Sequence, residues 1–223
     1  MGAFFLALLL VAGLALPAAA SPKIVYKAAA RNAQKRIAIT FDDGPHPRYT
    51  PEILDILAKH GAKATFFAVG VNAETYPHII RRILAEGHEL GNHTYNHYHT
   101  QKMECDVLRR DILACSEALR KISGSEPLYF RPPEGVCTEE IKDLCRERGY
   151  TIVMWSIDTR DWAHTPIADI VKNVQKNAAD GAIILMHDFI GKNSPTPAAL
   201  RQILPILQEA GFEFVTVSEL LAG

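Results

Sequence analysis

Two adjacent carboxylates and a pair of histidines carry the strongest chemical signal in this sequence. Asp42 and Asp43 follow the short apolar run 37–41, and His93 and His97 come about fifty residues later. The four-residue spacing of the histidines would let both imidazoles face one point if the segment were helical. One aspartate and two histidines can form an open zinc site whose fourth position is left for water. The pattern therefore predicts a metal hydrolase in which the second aspartate acts on that water.

Further titratable side chains end or follow other predicted strands. Arg131 ends one apolar run, Asp158 and Asp161 follow the next, and His187 ends the one after that. In (β/α) barrels the C-terminal ends of the strands carry the active site. A purely structural face would carry apolar or small residues there, so these positions favour a functional role.

The elements that must position these residues alternate between strand and helix. Such alternation predicts a parallel sheet. A closed or nearly closed (β/α) barrel is the expected architecture, and an open doubly wound sheet is the alternative. Seven strands are predicted at 37–41, 64–69, 88–91, 128–131, 151–157, 182–187 and 213–216. Amphipathic helices are predicted at 50–60, 76–86, 104–122, 138–148, 167–177 and 196–210.

Length and composition fit a single domain without a nucleic-acid partner. The chain has 223 residues and a formal net charge of -1, so no basic surface suited to nucleic acid is expected. Residues 1–20 resemble a secretory signal, with an apolar run at 4–16 before small residues. That run is short for a membrane span, and no Lys or Arg precedes it. An uncleaved N-terminal anchor is the alternative, and either form places the domain outside the cytoplasm.

The four cysteines do not indicate a metal site, because none lies in a C-x-x-C motif. Cys105 and Cys115 fall ten residues apart on one predicted helix, which is beyond disulfide reach. Cys137 and Cys145 meet the same difficulty across the next helix. Cross-pairs between the two helices and free thiols both remain open.

Five short motifs follow one another along the chain. They read TFDDGP at 40–45, HTYNH at 93–97, RPPEG at 131–135, DTRDW at 158–162 and LMHD at 185–188. In this order they resemble the polysaccharide deacetylases, the NodB-like carbohydrate esterase family 4. The resemblance covers Arg36 to Leu221, so residues 21–35 are treated as an N-terminal arm and 36–223 as the catalytic domain. It implies a distorted (β/α)7 barrel and metal-dependent removal of acetyl groups from a sugar polymer.

The resemblance implies roles for the residues around the metal. Asp43, His93 and His97 correspond to the metal ligands, with zinc the expected ion and cobalt or another divalent metal able to replace it. Asp42 corresponds to the general base. Arg131 would orient Asp42 and keep it ionised, because a nearby cation favours the carboxylate.

The resemblance also implies roles on the substrate side. His187 corresponds to the general acid for the leaving amine, and Asp161 would tune it. The backbone N–H of Glu134 would hold the oxyanion, and Trp162 and Leu185 would line an apolar slot for the acetyl methyl. Glu134 departs from the family pattern, which often has an aromatic residue there, and this affects substrate preference rather than the chemistry.

The motifs predict an exported N-deacetylase of N-acetylhexosamine polymers, with peptidoglycan the first candidate substrate and chitooligosaccharides the second. An O-acetyl esterase acting on xylan is an alternative within the same chemistry. An inactive sugar-binding pseudoenzyme is a different class, and the presence of every ligand and the base argues against it. A zinc peptidase would normally show H-E-x-x-H, which this sequence lacks.

Overall fold

The protein is a curved parallel sheet wrapped by helices. The structure is a computed structural model that describes residues 21–30 and 34–222. The proposed signal at 1–20 lies outside these residues. The strands are β1 Ile24–Val25, β2 Lys35–Asp42, β3 Ala64–Ala68, β4 Glu89–Asn92, β5 Tyr129–Phe130, β6 Thr151–Val153, β7 Ile157–Asp158, β8 Ile183–His187 and β9 Phe212–Phe214. The helices are α1 Tyr49–Lys59, α2 Gly70–Thr75, α3 Pro77–Ala85, α4 Cys105–Ser123, α5 Glu139–Arg148, α6 Ile167–Asn177, α7 Thr196–Glu209 and α8 Val217–Ala222.

The strand order confirms the distorted α/β barrel. The order is β1-β6-β5-β4-β3-β2-β8-β7, with β9 paired to the start of β2, and the paired strands run parallel. The sheet is curled into a half-barrel with the helices outside it. Because the strands are parallel, their C-terminal ends lie at the same end of the barrel, where the predicted site residues are found.

One predicted strand was wrong in its extent. The run 151–157 is two strands, and they lie at opposite sides of the sheet, with β6 beside β5 and β7 beside β8. The break occurs because the Arg131 guanidinium binds the carbonyl oxygens of Val153 and Met154, at 2.9 and 3.0 Å. Ser156 then donates its N–H to the carbonyl of Ile183, which attaches the chain to β8.

The N-terminal arm contributes to the sheet. Ile24 and Val25 of β1 pair with β6, and Lys27 forms an antiparallel bridge with Ala182 at the start of β8. The arm therefore connects β6 to β8 across the gap that the curled sheet leaves. Its two-residue strand is too short to give a periodic signal in the sequence.

Helix α8 closes the N-terminal end of the barrel. Val217 donates its N–H to Thr65 Oγ1 at 2.9 Å, and Ser218 donates its N–H to Glu89 Oε2 at 3.1 Å. Both acceptors lie where β3 and β4 begin. The apolar side chains of α8 pack with those inside the sheet in one buried cluster. With this end closed, the pocket opens at the other end.

The cysteines are unpaired, and the predicted helices are formed. All four cysteines are free thiols, with Cys115 and Cys145 buried, Cys137 partly buried and Cys105 exposed. The six predicted helices are present, and the short helices α2 and α8 are additional. Within the described residues, no helix combines the length and apolar character needed to span a membrane.

Candidate active site

A single pocket at the C-terminal ends of the strands collects most of the predicted site residues. Its volume of about 490 Å³ falls within the range typical of small-ligand sites. Arg131 and Asp161 do not line it, because both are fully buried behind its wall. The lining residues are Asp42, Asp43, His93, His97, Glu134, Gly135, Trp155, Asp158, Trp162, Leu185 and His187.

Asp43, His93 and His97 bring three potential ligand atoms together. Asp43 Oδ1 lies 3.4 Å from His93 Nε2 and 3.1 Å from His97 Nε2, and the three atoms lie within 4.8 Å of one another. A tetrahedral ion with ligand bonds of about 2.0–2.1 Å separates its ligand atoms by about 3.3 Å. Asp43 Oδ1 is buried and accepts no hydrogen bond of acceptable geometry. The donor set, its spacing and this unpartnered oxygen all fit a divalent metal.

The electrostatics of the cluster also favour a cation. Burial alone would raise the pKa of the Asp43 carboxyl, but the two adjacent imidazoles hold it well below its usual range. His93 Nδ1 lies 2.7 Å from the backbone oxygen of Arg131. That contact places the proton on Nδ1 and leaves Nε2 free to bind a metal.

The segment between the two histidines is a loop, so the helical geometry considered for the H-x3-H spacing was wrong. Thr94 and His97 both have positive φ, at 67° and 55°. This conformation is uncommon for residues other than glycine, and side-chain hydrogen bonds hold it in place. Thr94 Oγ1 accepts the N–H of His97 at 3.1 Å, and Asn92 Oδ1 accepts the N–H of Thr94 at 2.8 Å.

Asp111 of α4 holds the same loop through hydrogen bonds. The sequence did not identify it as a site residue. Its Oδ2 accepts the backbone N–H groups of Tyr95 and Asn96 at 2.9 and 3.2 Å. Its Oδ1 accepts the side-chain amide of Asn96 at 2.5 Å. A carboxylate next to Ile112, on the buried side of an amphipathic helix, was the one available signal.

Arg131 positions Asp42 in the wall of the pocket. Arg131 Nη1 donates to Asp42 Oδ1 and to Thr40 Oγ1, both at 2.7 Å. The guanidinium also lies over the Phe67 ring, at 4.1 Å from its centroid. Asp42 is almost fully buried, and the Arg131 guanidinium is the cation in direct contact with its carboxylate. The second oxygen of Asp42 lies 3.7 Å from His93 Nε2, beside the metal cluster.

Asp161, which is fully buried, pairs with the partly buried His187, which lines the same pocket as that cluster. His187 Nδ1 lies 2.8 Å from Asp161 Oδ1, and the backbone N–H of His187 donates to Asp161 Oδ2 at 2.8 Å. Burial lowers the pKa of His187, but Asp161 and the charges of Asp42 and Asp43 outweigh it and raise that pKa to about 9. His187 is therefore protonated at neutral pH and can donate a proton from Nε2.

The register of β2 and β8 sets Asp42 and His187 side by side, because they are Cα partners. Asp188, the next residue, turns the opposite way and is buried against Gly44. A Cβ at Gly44 would lie 2.0 Å from Asp188 Oδ2, so only glycine fits there. Thr50 Oγ1 donates to Asp188 Oδ2 at 2.5 Å, and burial raises the pKa of Asp188 to about 7.

The opposite wall of the pocket is formed by a tight turn over a tryptophan. Glu134 and Gly135 have φ of 58° and 70°, and a Cβ at Gly135 would lie 2.7 Å from the Trp155 ring. Trp155 lines the pocket but was not predicted as a site residue, whereas Asp158, which the sequence places after a strand end, lines the pocket as well. Trp155 follows the break after β6, which the sequence did not show. Trp162 and Leu185 also line the pocket.

These features define a class of protein: a barrel hydrolase whose pocket holds a cluster suited to a metal ion, a second carboxylate beside it and a histidine paired with a buried aspartate. Residues 29–153 match the family model described as Polysaccharide deacetylase. The chain belongs to this family. It is accordingly a deacetylase, a hydrolase acting on linear amide carbon–nitrogen bonds.

Relatives and solved structures agree with this assignment. The chain is 46% identical over 192 residues to a peptidoglycan-N-acetylglucosamine deacetylase of Bacillus cereus, covering 85% of this chain and 90% of the relative. It is 38% identical to a chitooligosaccharide deacetylase of Azorhizobium caulinodans, covering 80% of this chain and 91% of the relative. Its fold matches the crystal structure of the Bc1960 peptidoglycan N-acetylglucosamine deacetylase with a TM-score of 0.84 and 38% identity, over 89% and 92% of the two chains.

Proposed function

We propose that the protein is an exported, metal-dependent N-deacetylase of N-acetylhexosamine polymers, with peptidoglycan the first substrate and chitooligosaccharides the second. One observation carries the proposal: the Asp43, His93 and His97 cluster lines the same pocket as His187, which contacts Asp161. The Bacillus and Azorhizobium relatives, whose names state peptidoglycan N-acetylglucosamine and chitooligosaccharide deacetylation, support the order of substrates.

Asp43, His93 and His97 would hold the ion. When bound, a divalent metal polarises a carbonyl oxygen and lowers the pKa of water to about 7. Zinc suits this set of one carboxylate and two imidazoles, and cobalt can replace it. The hydrogen bond from His93 to the Arg131 carbonyl fixes one ligand in the orientation that binding requires.

Proton transfer is the task of the remaining charged side chains. Asp42, kept ionised by Arg131, takes the proton of the attacking water. His187 gives its proton to the departing amine nitrogen, which would otherwise leave as a poorly stabilised anion. Asp161 then stabilises the imidazole in the correct orientation. General acid–base steps of this kind each contribute about 10²–10⁴ in rate.

Substrate orientation comes from the walls of the pocket. Trp162 and Leu185 offer apolar surface for the acetyl methyl group, and the backbone N–H of Glu134 is proposed to stabilise the oxyanion. The positive φ of Glu134 supports this role, because successive backbone N–H groups in a turn of this kind form a concave site for an anion.

The decisive experiment measures acetate release by the purified protein from peptidoglycan, chitooligosaccharides and acetylated xylan side by side. We expect release from the first two, loss of activity with a chelator and recovery on adding zinc or cobalt. Release from acetylated xylan alone would establish the O-acetyl esterase instead. Sugar binding without acetate release from any substrate would establish an inactive binding protein.

Export is tested separately from chemistry. The apolar run 4–16 followed by small residues supports it. We expect the mature protein recovered outside the cytoplasm to begin near Ser21, as read by N-terminal sequencing. Recovery of the full-length chain from the membrane fraction would establish the uncleaved anchor, and recovery from the cytoplasm would overturn export.

A further inference from the structure

An exposed ion pair joins two loops at the rim of the pocket. His99 Nδ1 lies 2.6 Å from Glu134 Oε1, and the two side chains are 65% and 46% exposed. His99 follows the metal-ligand loop after β4, whereas Glu134 belongs to the turn after β5. The pair therefore connects the segment that holds His97 to the segment proposed to hold the oxyanion. The sequence did not assign His99 any role.

Other contacts hold the backbone of both residues of this pair in place. Glu134 is held in a left-handed turn against Trp155. The loop leading to His99 is held by the hydrogen bonds from Tyr95 and Asn96 to Asp111. An ion pair as exposed as this one adds little to stability. Its main consequence is that a carboxylate and an imidazole are presented together at the pocket entrance.

Tyr98 supplies an exposed aromatic ring at the position before His99 in the chain. It lies between His97 and His99 in the chain and is 55% exposed, and within residues 21–30 and 34–222 its ring makes no contact with another aromatic ring. An exposed aromatic face offers apolar surface with little entropy to lose on binding. A pyranose ring has complementary chemistry, since its C–H face packs on aromatic rings and its hydroxyls bind carboxylate and imidazole groups.

We propose that Tyr98, His99 and Glu134 form a subsite for the neutral hexosamine ring next to the one being deacetylated. The inference rests on the proposed function, because the occupant is the neighbouring sugar of the same polymer. Glu134 lines the pocket itself, so the subsite is continuous with the reaction site. Contacts to a remote sugar are made equally in the ground state and the transition state, so they affect KM more than kcat.

The test compares Tyr98→Ala and His99→Ala with Tyr26→Ala as a matched control. Tyr26 is 56% exposed but lies in the arm beside Leu220 and Leu221 of α8, at the closed end of the barrel. Steady-state kinetics are measured with N-acetylchitotetraose and with a small aryl acetate that cannot reach the subsite. The bound zinc of each variant is measured at the same time.

For Tyr98→Ala and His99→Ala we expect kcat/KM on the tetramer to fall about fivefold to twentyfold, mostly through KM. The aryl acetate rate and the zinc content should match those of the Tyr26→Ala control. Tetramer kinetics equal to the control would overturn the subsite. An equal loss on the aryl acetate, or a loss of zinc, would show that these residues act through the metal loop and would also overturn it.

Failure of the proposed function has a different appearance. In that case the unmodified protein would hydrolyse the aryl acetate but release no acetate from N-acetylchitotetraose or from peptidoglycan. That result would overturn the function and the subsite together. The variants alone decide the subsite when the unmodified protein is active on the tetramer.

Discussion

Two groups of side chains at the pocket can be compared: the metal side, Asp43, His93 and His97, and the acid side, His187 and Asp161. They differ in whether their carboxylate oxygens have hydrogen-bond partners. On the metal side, Asp43 Oδ1 is buried without a hydrogen bond of acceptable geometry, and its neighbours are imidazole nitrogens. On the acid side, both oxygens of Asp161 are in use, with contacts from the ring and backbone of His187, the hydroxyl of Thr196 and the N–H of Trp162.

One side therefore has a buried oxygen open to an added ion, whereas the oxygens of the other side already have partners within the chain. A buried oxygen without a partner is costly, so the metal side is stabilised when a cation binds. The acid side is a satisfied hydrogen-bond network within the chain itself. Changes to the metal side should therefore appear as altered ion binding, whereas changes to the acid side should appear as altered pH dependence with the ion still bound.

The largest expected effect breaks the metal side directly. Asp43→Ala removes one of three ligands and leaves none in reserve, so bound zinc and deacetylation should both fall below detection. Metal analysis and acetate release check this, with Asp106→Asn on the exposed start of α4 as a control. Full turnover by Asp43→Ala freed of zinc would show that the cluster is not the catalytic centre.

A smaller loss of activity is expected when Asp42, which lies beside both the metal side and His187, is changed. Asp42→Asn removes the base but keeps a side chain of the same shape beside Arg131. We expect kcat to fall about 10²–10⁴-fold with zinc content unchanged. Turnover near that of the unmodified protein, with the ion in place, would show that another group takes the proton.

Asp161→Asn sharpens the comparison on the acid side. Asp161 is the main group that raises the pKa of His187 against the effect of burial, so that pKa should fall when the charge of Asp161 is removed. The unmodified enzyme should lose activity as pH rises through about 9, when His187 gives up its proton. In the variant this decline should begin at lower pH, so activity at pH 8 should fall about 10–100-fold. The measurement is the pH profile of kcat/KM, and an unmoved basic limb would contradict the assignment.

The smallest effect concerns the support behind the metal side. Asp111→Asn replaces an acceptor of three N–H groups with a side chain that carries its own donors, so the loop with His97 should loosen. We expect zinc affinity to weaken about 10–100-fold, with activity restored by excess zinc and the pH profile unchanged. Titration with zinc, against Asp106→Asn, measures this, and equal affinity in the two variants would remove Asp111 from the site.

The chemistry of the site was more predictable from the sequence than the backbone that carries it. Asp42, Asp43 and His187 were identifiable because strand ends in a parallel barrel meet at one face. The loop geometry of His93 and His97 was not, because it depends on hydrogen bonds from Thr94 and from distant residues such as Asp111. Contacts between residues far apart in the chain leave no periodic signal.

The break between β6 and β7 shows the same limit. Residues 151–157 form a continuous apolar and β-branched run, which is typical of one strand. The strand ends early because the Arg131 guanidinium takes two of its carbonyl oxygens. Arg131 lies more than twenty residues away in the sequence. The local pattern of residues 151–157 therefore could not indicate the interruption. The sequence did not predict helix α8 or strand β1, because each is too short to show a periodic pattern of apolar residues.

Arg131 has a further consequence for anyone who wishes to redesign this enzyme. One guanidinium joins the carboxylate of Asp42, the proposed base, to the backbone at Val153 and Met154. A lysine cannot replace it, since a single ammonium lacks the planar set of donors. Activity and barrel architecture are thus inseparable at this position. New specificity is better sought at the pocket entrance, where side chains can be exchanged while the scaffold keeps its shape.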